Sequence, residues 1–295
     1  MTEKDCTYVC SRGIMKSCHV HTTEPRSSIS KLMHLDFCPL EADQTVHICG
    51  SAIPELATVL DRIHCPFILV TGDCDNSCPI NMFHSHEDFL KFIEHPKIIR
   101  WYSQNCVGNH PKLQPIPIGL DYHTMSTGDH AWGAQLSPDA QEAELKEIAK
   151  AAAPFYERQL MAYSNFHFSM DTKFGQDRRD ALGKIPPTCM FYEPMPVPRR
   201  QSWTNQSAYA FVVSPHGNGL DCHRTWEAIA LGCIPIVKTS PLDPLFEGLP
   251  VWIVQDWADV NETSMAKIVE EYKTRTFSME RLTLAYWMER IHSGK

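Results

Sequence analysis

Apolar residues in this chain fall into two alternating kinds of run. Short continuous runs, such as Pro-Phe-Ile-Leu-Val-Thr at 66–71, read as strands buried on both faces. Between them apolar residues recur every three or four positions, as in Ile53, Leu56, Val59, Leu60 and Ile63, the spacing of a helix with one buried stripe. In the first half this predicts strands at 45–49, 66–71 and 98–102 and helices at 53–63 and 86–94. An extended edge segment is expected at 114–118, where two prolines remove ladder donors. A loop rich in His, Gly, Ser and Asp covers 121–138, with His123, His130 and Trp132 as possible acceptor-facing side chains. The polar helix after it, 138–157, carries Glu142, Glu144, Lys146, Glu147 and Lys150 and reads as a mostly solvated bridge. In the second half the pattern predicts strands at 166–169, 189–192, 208–213, 233–237 and 251–254, helices at 177–185, 221–231 and 263–272, and a last helix at 278–292. Alternation of this kind predicts an α/β protein of two Rossmann-like halves, each a parallel sheet covered by helices, with a cleft between them.

Composition narrows the partners. The 295 residues are 43% hydrophobic and 21% charged, which suits a globular chain with a sizeable core. Net charge is 27 − 35 = −8, so neither nucleic acid nor an anionic membrane surface is an expected partner. No apolar run approaches the roughly 20 residues of a membrane span. The start, Met1-Thr-Glu-Lys-Asp-Cys6, lacks the basic-then-apolar order of a signal peptide. Twelve cysteines are scattered through the chain, and Cys49, Cys65, Cys189 and Cys233 sit in or beside apolar runs as small buried thiols do. The expected setting is therefore reducing and cytoplasmic, with the sequons at Asn205 and Asn261 read as chance matches.

The chemistry concentrates in Phe-Val-Val-Ser-Pro-His-Gly-Asn-Gly-Leu-Asp-Cys-His-Arg-Thr-Trp-Glu, residues 211–227, followed by Ala-Ile-Ala-Leu-Gly-Cys-Ile-Pro-Ile-Val to 237. A strand ends at Ser214, Gly217 and Gly219 let the backbone turn tightly, Asp221 caps a helix and Gly232 ends it. A strand–glycine loop–helix unit aims unpaired amides and the helix dipole at the loop, as a diphosphate requires. His216 and Arg224 add donors there, and Glu227 lies three residues after Arg224 on the same helical face, placed to accept ribose hydroxyls. The plain alternative is an Arg–Glu pair within the helix beside a structural turn. Arg178, opening a helix early in the second half, is a further phosphate candidate.

Asp73, in Val-Thr-Gly-Asp-Cys-Asp at 70–75, follows a buried strand and is the carboxylate best placed by the pattern to act as a base. With Asp75 it also matches an Asp-x-Asp pattern that suits a divalent cation and diphosphate. Cys6, Cys10, Cys18, His19 and His21 fit no standard zinc spacing, so the N-terminal stretch is expected to be irregular with incidental thiols.

The 211–237 segment resembles the signature of exostosin-like glycosyltransferases (family GT47): Ser-Pro-x-Gly-Asn-Gly-x-Asp-x-x-Arg-x-Trp-Glu-Ala followed by Leu-Gly-Cys-Ile-Pro. A weaker likeness covers 101–105, 110–119 and 164–169 with Arg178. What the resemblance implies is a GT-B fold, a UDP-sugar donor and inversion at the anomeric carbon. It assigns 1–157 to an acceptor-binding domain, 158–275 to a nucleotide-sugar-binding domain, and 276–295 to a final helix packing back on the first. It also implies a donor site of Arg178, Ser214, Pro215, His216, Gly217, Asn218, Gly219, Leu220, Asp221, Arg224 and Glu227, with Asp73 as catalytic base. The short form without an anchor is similar to the chlorovirus xylosyltransferases of large DNA viruses infecting algae. That makes UDP-xylose the first donor expected, an oligosaccharide or glycoprotein (a fucose on an N-glycan, for instance) the acceptor, and a viral protein in host cytoplasm the setting. No metal and no cofactor beyond the UDP-sugar co-substrate is expected.

Overall fold

The computed structural model describes residues 2–32 and 35–294, so the outermost residues of the expected domains, Met1 and Lys295, lie outside the described residues. In chain order the elements are α1 (Ser11–Ser17), β1 (Thr45–Cys49), α2 (Ile53–Val59), β2 (Phe67–Gly72), α3 (His86–Ile93), β3 (Ile98–Ser103), β4 (Leu113–Pro115), α4 (His123–Ser126) and α5 (Pro138–Ala151). They continue with β5 (Gln159–Ser164), α6 (Gly175–Lys184), β6 (Met190–Tyr192), α7 (Arg199–Gln206), β7 (Tyr209–Val213), α8 (His223–Ala230), β8 (Ile234–Lys238), β9 (Trp252–Val254), α9 (Glu262–Thr274) and α10 (Leu284–His292).

The strands form two sheets, ordered β1-β2-β3-β4 and β6-β5-β7-β8-β9, and every paired strand is parallel. The protein is thus α/β, with two helix-covered parallel sheets. The first sheet adds strands in chain order. The second reverses direction at β5, since β6 lies on one side of it and β7 on the other. Such a reversal leaves the loops after β5 and β7 diverging at the strand carboxyl ends, where open α/β sheets bind ligands.

Alternation of side chains along each strand decides where the cores lie. Phe67, Leu69 and Trp101 face a core on the outside of the first sheet, and Ala162, Phe211, Val213, Ile234 and Ile236 one on the outside of the second. Their neighbours Ile68, Val70, Tyr102, Tyr163, Val212 and Val237 all belong to a third cluster that runs unbroken from one half to the other. Trp226 and Trp287, at 0% and 1% exposure, lie within it, so the halves share apolar core as well as a polar cleft.

The N-terminal stretch, expected to be irregular, contains α1, whose Ile14 and Met15 are buried. Cys10 caps it, its sulfur accepting from Gly13 N at 3.3 Å, and burial pushes the Cys6 thiol up to about 12. α10 lies against α1, with Val9 N donating to Leu282 O and Leu284 N to Thr7 O, both at 2.9 Å. Three other expectations are corrected. The strand placed at 166–169 is a single 3-10 turn; the strand is β5, earlier in the chain, half exposed at its start and therefore without a continuous apolar run. α7 escaped notice because only Trp203 among its eight residues is strongly apolar. The helix over 138–157 stops at Ala151, ahead of Pro154, and is no solvated bridge: Gln141, Glu142, Leu145 and Ile148 are buried. Glu142 stays soluble in that interface by accepting from the amides of Thr7 and Tyr8 and from Lys146.

Gly119 joins the N-terminal stretch to the sheet. Its φ is +67°, and a Cβ there would meet Val9 O at 2.1 Å. Gly119→Ala is expected to lose about 2 kcal/mol or more of unfolding free energy in urea titrations; an unchanged midpoint would show that the N-terminal stretch is not anchored there.

Candidate functional site

A cavity of about 610 Å³ opens between the two sheets, a size ordinary for a small-molecule site. Its walls come from the loops after β5 (Asn165, Phe166, Phe168, Ser169), after β6 (Glu193, Pro196, Val197) and after β7 (217–219), together with α7 and α8. From the first half it is reached by Asp75, Ile118, Asp121 and Trp132. The cavity therefore sits at the point where the second sheet reverses its strand order.

The loop after β7 is built as a rigid cradle. Asp177 accepts from His216 N at 2.9 Å and from Trp257 Nε1 at 2.7 Å, and its carboxylate lies 3.0 Å from His216 Nδ1. Burial works against the Asp177 charge, but those partners outweigh it and hold its carboxyl below the ordinary range. Arg178 Nε donates to His216 O at 2.9 Å, and its Nη1 donates to the Phe166 and Ser169 carbonyls. Gly217 and Gly219 are not at positive φ, so the bend at 218–221, closed by Gly217 N on Gly219 O at 3.0 Å, does not itself require glycine. Close approach requires them instead: a Cβ on Gly217 would meet Arg178 Nη2 at 2.8 Å, and one on Gly219 would meet Asn105 Nδ2 at 3.0 Å.

Arg224, at the second position of α8, donates from Nε to Asn165 Oδ1 at 3.2 Å, while its Nη1 is buried without a partner. A buried donor left unpaired costs about 1–3 kcal/mol, and more when it carries charge. Arg178 lies close enough that burial first, and then Arg224, lower its basicity. Two guanidinium groups at one wall, one of them short of an acceptor, form an anion site. No ion pair joins Arg224 to Glu227 among the described residues; Glu227 accepts from Trp203 Nε1 at 3.2 Å and also lines the cavity.

The cavity floor is polar and crosses between the halves. Asp221, expected as the helix cap, is not one: α8 begins at His223 after Cys222. Asp221 accepts instead from Ile118 N at 2.7 Å and from Trp226 Nε1 at 2.8 Å, and its own amide donates to Asn105 Oδ1 at 2.9 Å. Burial pushes its carboxyl up to about 6 in spite of those donors. At the other end of α8, Gly232 takes φ +72° and closes a Schellman cap, with Gly232 N on Ile229 O and Cys233 N on Ala228 O. Beside Asp221, the Asp121 carboxylate accepts from Thr124 N and Oγ1 and from Arg199 Nη2 at 3.2 Å. Burial pushes the Asp121 carboxyl up, but His223, His123, Arg199 and the Thr124 amide outweigh it and hold the group well below the carboxylate range.

Of the residues singled out in the sequence, Arg178, Gly217, Asn218, Gly219, Asp221, Arg224 and Glu227 line this one cavity. Ser214, Pro215, His216 and Leu220 do not. The Ser214 hydroxyl pairs with Thr225 Oγ1 at 2.8 Å beneath the loop, His216 is held by Asp177, and Leu220 packs on the shared core. Asp73 also stands apart. It lies in a separate small recess with His47 and Cys49, its Oδ1 accepting from Ser27 Oγ at 2.9 Å and its Oδ2 facing Arg12 at 3.9 Å. Its φ of +55° turns the chain so that Asp75 reaches the large cavity instead. The two members of the Asp-x-Asp pattern therefore face different recesses. Cys6, Cys10 and Cys18 are packed in the core; among the described residues the three-residue group arranged to hold a metal ion is Asp121, His123 and His223.

Sequence reading missed Tyr163, Asn165, Glu193, Arg199, Trp203 and Asp121 as cavity residues. Most lie on or beside β5 and α7, the elements whose patterns were weakest.

No protein-family model and no curated protein matches this sequence. Among solved structures, the chain resembles one described as "Trehalose-6-phosphate from E. coli bound with UDP-2-fluoro glucose". The likeness has 12% identity and a TM-score of 0.37, and covers 87% of this chain and 71% of that one. Likeness of that degree assigns no chemistry here. Two parallel sheets, of four and five strands, flanking a cleft are nevertheless the GT-B arrangement implied above. Among the described residues no helix is long and apolar enough to cross a membrane.

Since Asp73 is caged, Asp73→Asn is expected to lower thermal stability by about 1–3 kcal/mol and leave UDP affinity, measured by calorimetry, within about twofold. A variant that melts like the parent yet binds UDP far more weakly would place Asp73 in the ligand site after all.

Proposed function

We propose that this chain is a nucleotide-sugar-dependent glycosyltransferase of the exostosin-like type, moving a sugar from a UDP-sugar to a hydroxyl of a glycan acceptor. The observation that carries the reading is the unpartnered buried N–H of Arg224 beside Arg178, at the strand-order reversal of a parallel sheet. A folded chain keeps two like charges and an orphan donor together when a bound anion completes them. In this reading the diphosphate lies against Arg224, Arg178 and the 217–219 backbone at the start of α8, and no metal is needed to neutralise it. Glu227 takes the ribose hydroxyls with the carboxylate oxygen that Trp203 leaves free. Trp203, Tyr163 and Val197 supply apolar wall for the nucleoside.

The departing UDP needs its charge held as the anomeric bond breaks, which the paired arginines supply, and attack from the opposite face gives an inverted, β-linked product. The acceptor then enters from the first half, past Asp75 and Trp132. The signature at 214–237 supports the exostosin-like assignment, and on that footing xylose is the first donor to test and fucose the first acceptor. The separation of Asp73 from Asp75 gives no support to a metal-dependent Asp-x-Asp alternative.

Arg224→Met is expected to weaken UDP binding about 10–100-fold while leaving the melting temperature of the unliganded protein unchanged or higher, because it removes an unsatisfied buried donor. Glu227→Ala is expected to weaken UDP binding about tenfold. Calorimetry with UDP, alongside release of UDP from a panel of UDP-sugars and methyl glycosides, checks both. Normal UDP affinity in both variants would overturn the reading; tight UDP binding without turnover of any pair would make the chain a binding module.

A further inference from the structure

Three side chains from two distant stretches of sequence meet where the halves join. Asp121 precedes α4 and His123 opens it, both in the first half, while His223 is the first residue of α8, in the second. One ligand atom of each, a carboxylate oxygen and two ring nitrogens, lies within 4.8 Å of the other two. His123 Nδ1 stands 3.1 Å from Asp121 Oδ1, a contact not aligned as a hydrogen bond. Two lone-pair donors at that separation match the edge of a tetrahedron around a zinc ion, about 3.3 Å for metal–ligand bonds of about 2.0–2.1 Å.

We propose that Asp121, His123 and His223 bind a divalent transition-metal ion, zinc before others, which ties the two halves together beside the cavity. Binding of the ion does not depend on the glycosyltransferase reading. None of these residues belongs to the Asp-x-Asp pattern or to the N-terminal cysteines weighed as metal ligands from sequence. Each ligand is held from behind as a metal requires. Gly119 O can only accept, so the 2.7 Å contact with His223 Nδ1 places the proton on that nitrogen and leaves Nε2 a lone pair. A backbone carbonyl behind a ligating imidazole is the usual means of fixing its ring and tautomer. Asp121 is oriented in the same way. Thr124 N donates to its Oδ1 at 3.0 Å, and Thr124 Oγ1 and Arg199 Nη2 donate to its Oδ2 at 2.7 and 3.2 Å. Oδ1 thus keeps one lone pair for an ion. The His123 and His223 rings, 5.7 Å apart with planes at 56°, are tilted rather than stacked, which lets their nitrogens converge.

Charge around the group leaves room for a cation. The nearby cations are matched, Arg199 by Asp121 at 3.2 Å and Arg12 by Asp73 at 3.9 Å. Two imidazoles and one carboxylate suit zinc, whereas magnesium and calcium prefer oxygen ligands throughout. Three protein ligands leave a fourth position for water. Asp121 and His223 also line the cavity, so the ion would pin α8 to the first half at the residue before Arg224.

The full chain, stripped with a chelator and dialysed, is titrated with zinc by calorimetry, and its melting is followed with and without the ion. One equivalent is expected to bind, raising the melting temperature by about 5 °C at a hundred times the dissociation constant. Cobalt(II) in place of zinc is expected to give the visible absorption of a tetrahedral site. His123→Gln and His223→Gln are each expected to weaken zinc binding about 100-fold, with metal-free melting as the check that each variant folds. Asp121 is left intact because it also holds Arg199, and either histidine variant decides the matter if the other fails to fold. Absence of saturable zinc binding below about 100 μM overturns the proposal. So does zinc binding that both variants retain, as it would be if the cysteines held the ion.

Discussion

The buried carboxylate of Asp221 fixes how the two halves meet. It belongs to the second half but accepts a backbone amide from the first, and its own amide is held by Asn105 across the same seam. Burial raises its carboxyl to about 6, so the fold tolerates an expensive charge for the sake of register. Linkage sets the sign. A carboxyl raised on folding opposes the fold once ionised, so its stability contribution is best at low pH and declines between about pH 4 and 6. His223 on Gly119 O and Asp121 on Arg199 make further crossings of the seam. These bonds are directional, whereas the shared apolar core beside them would accept small slides. Directional ties are what hold the cavity walls at a defined separation.

The cradle after β7 follows from the same economy. Asp177 fixes the His216 backbone, Arg178 fixes its carbonyl, and the glycines exist to let Arg178 and Asn105 approach. Unpartnered buried atoms occur at several places in the fold, Arg12, Ser164 and Arg290 among them, and among the described residues Arg224 is the cationic one that lines the cavity. A cation short of an acceptor at a cavity wall places its unmet hydrogen bond where a ligand can meet it. The wall from the first half, by contrast, presents acids: Asp75 and Asp121.

Periodicity along the chain was sufficient to predict the α/β class and, among the described residues, seven of the nine strands to within a few residues: continuous apolar runs identify buried parallel strands without help from anything distant in sequence. It misread β5, whose first residues are exposed, and overlooked α7, whose chemistry is nearly all polar. Both are stabilised by what they pack against, Tyr163 on Phe191 and Tyr209, and Trp203 on Glu227 and the shared core. Local composition carries no trace of such partners.

The site divides along the same line. A glycine-bearing turn between strand and helix, with Arg224 and Glu227 a turn apart, is a local pattern, and the sequence alone determined that those side chains share one helical face. Which way Asp73 and Asp75 point, that Ser214 and His216 serve the scaffold, and that Asp121, His123 and His223 converge were decided only by tertiary structure. Backbone sign at one residue, φ +55° at Asp73, sends adjacent carboxylates into different recesses. Convergence of side chains a hundred positions apart depends on how two sheets dock, and docking is set by buried bonds that no window of sequence contains.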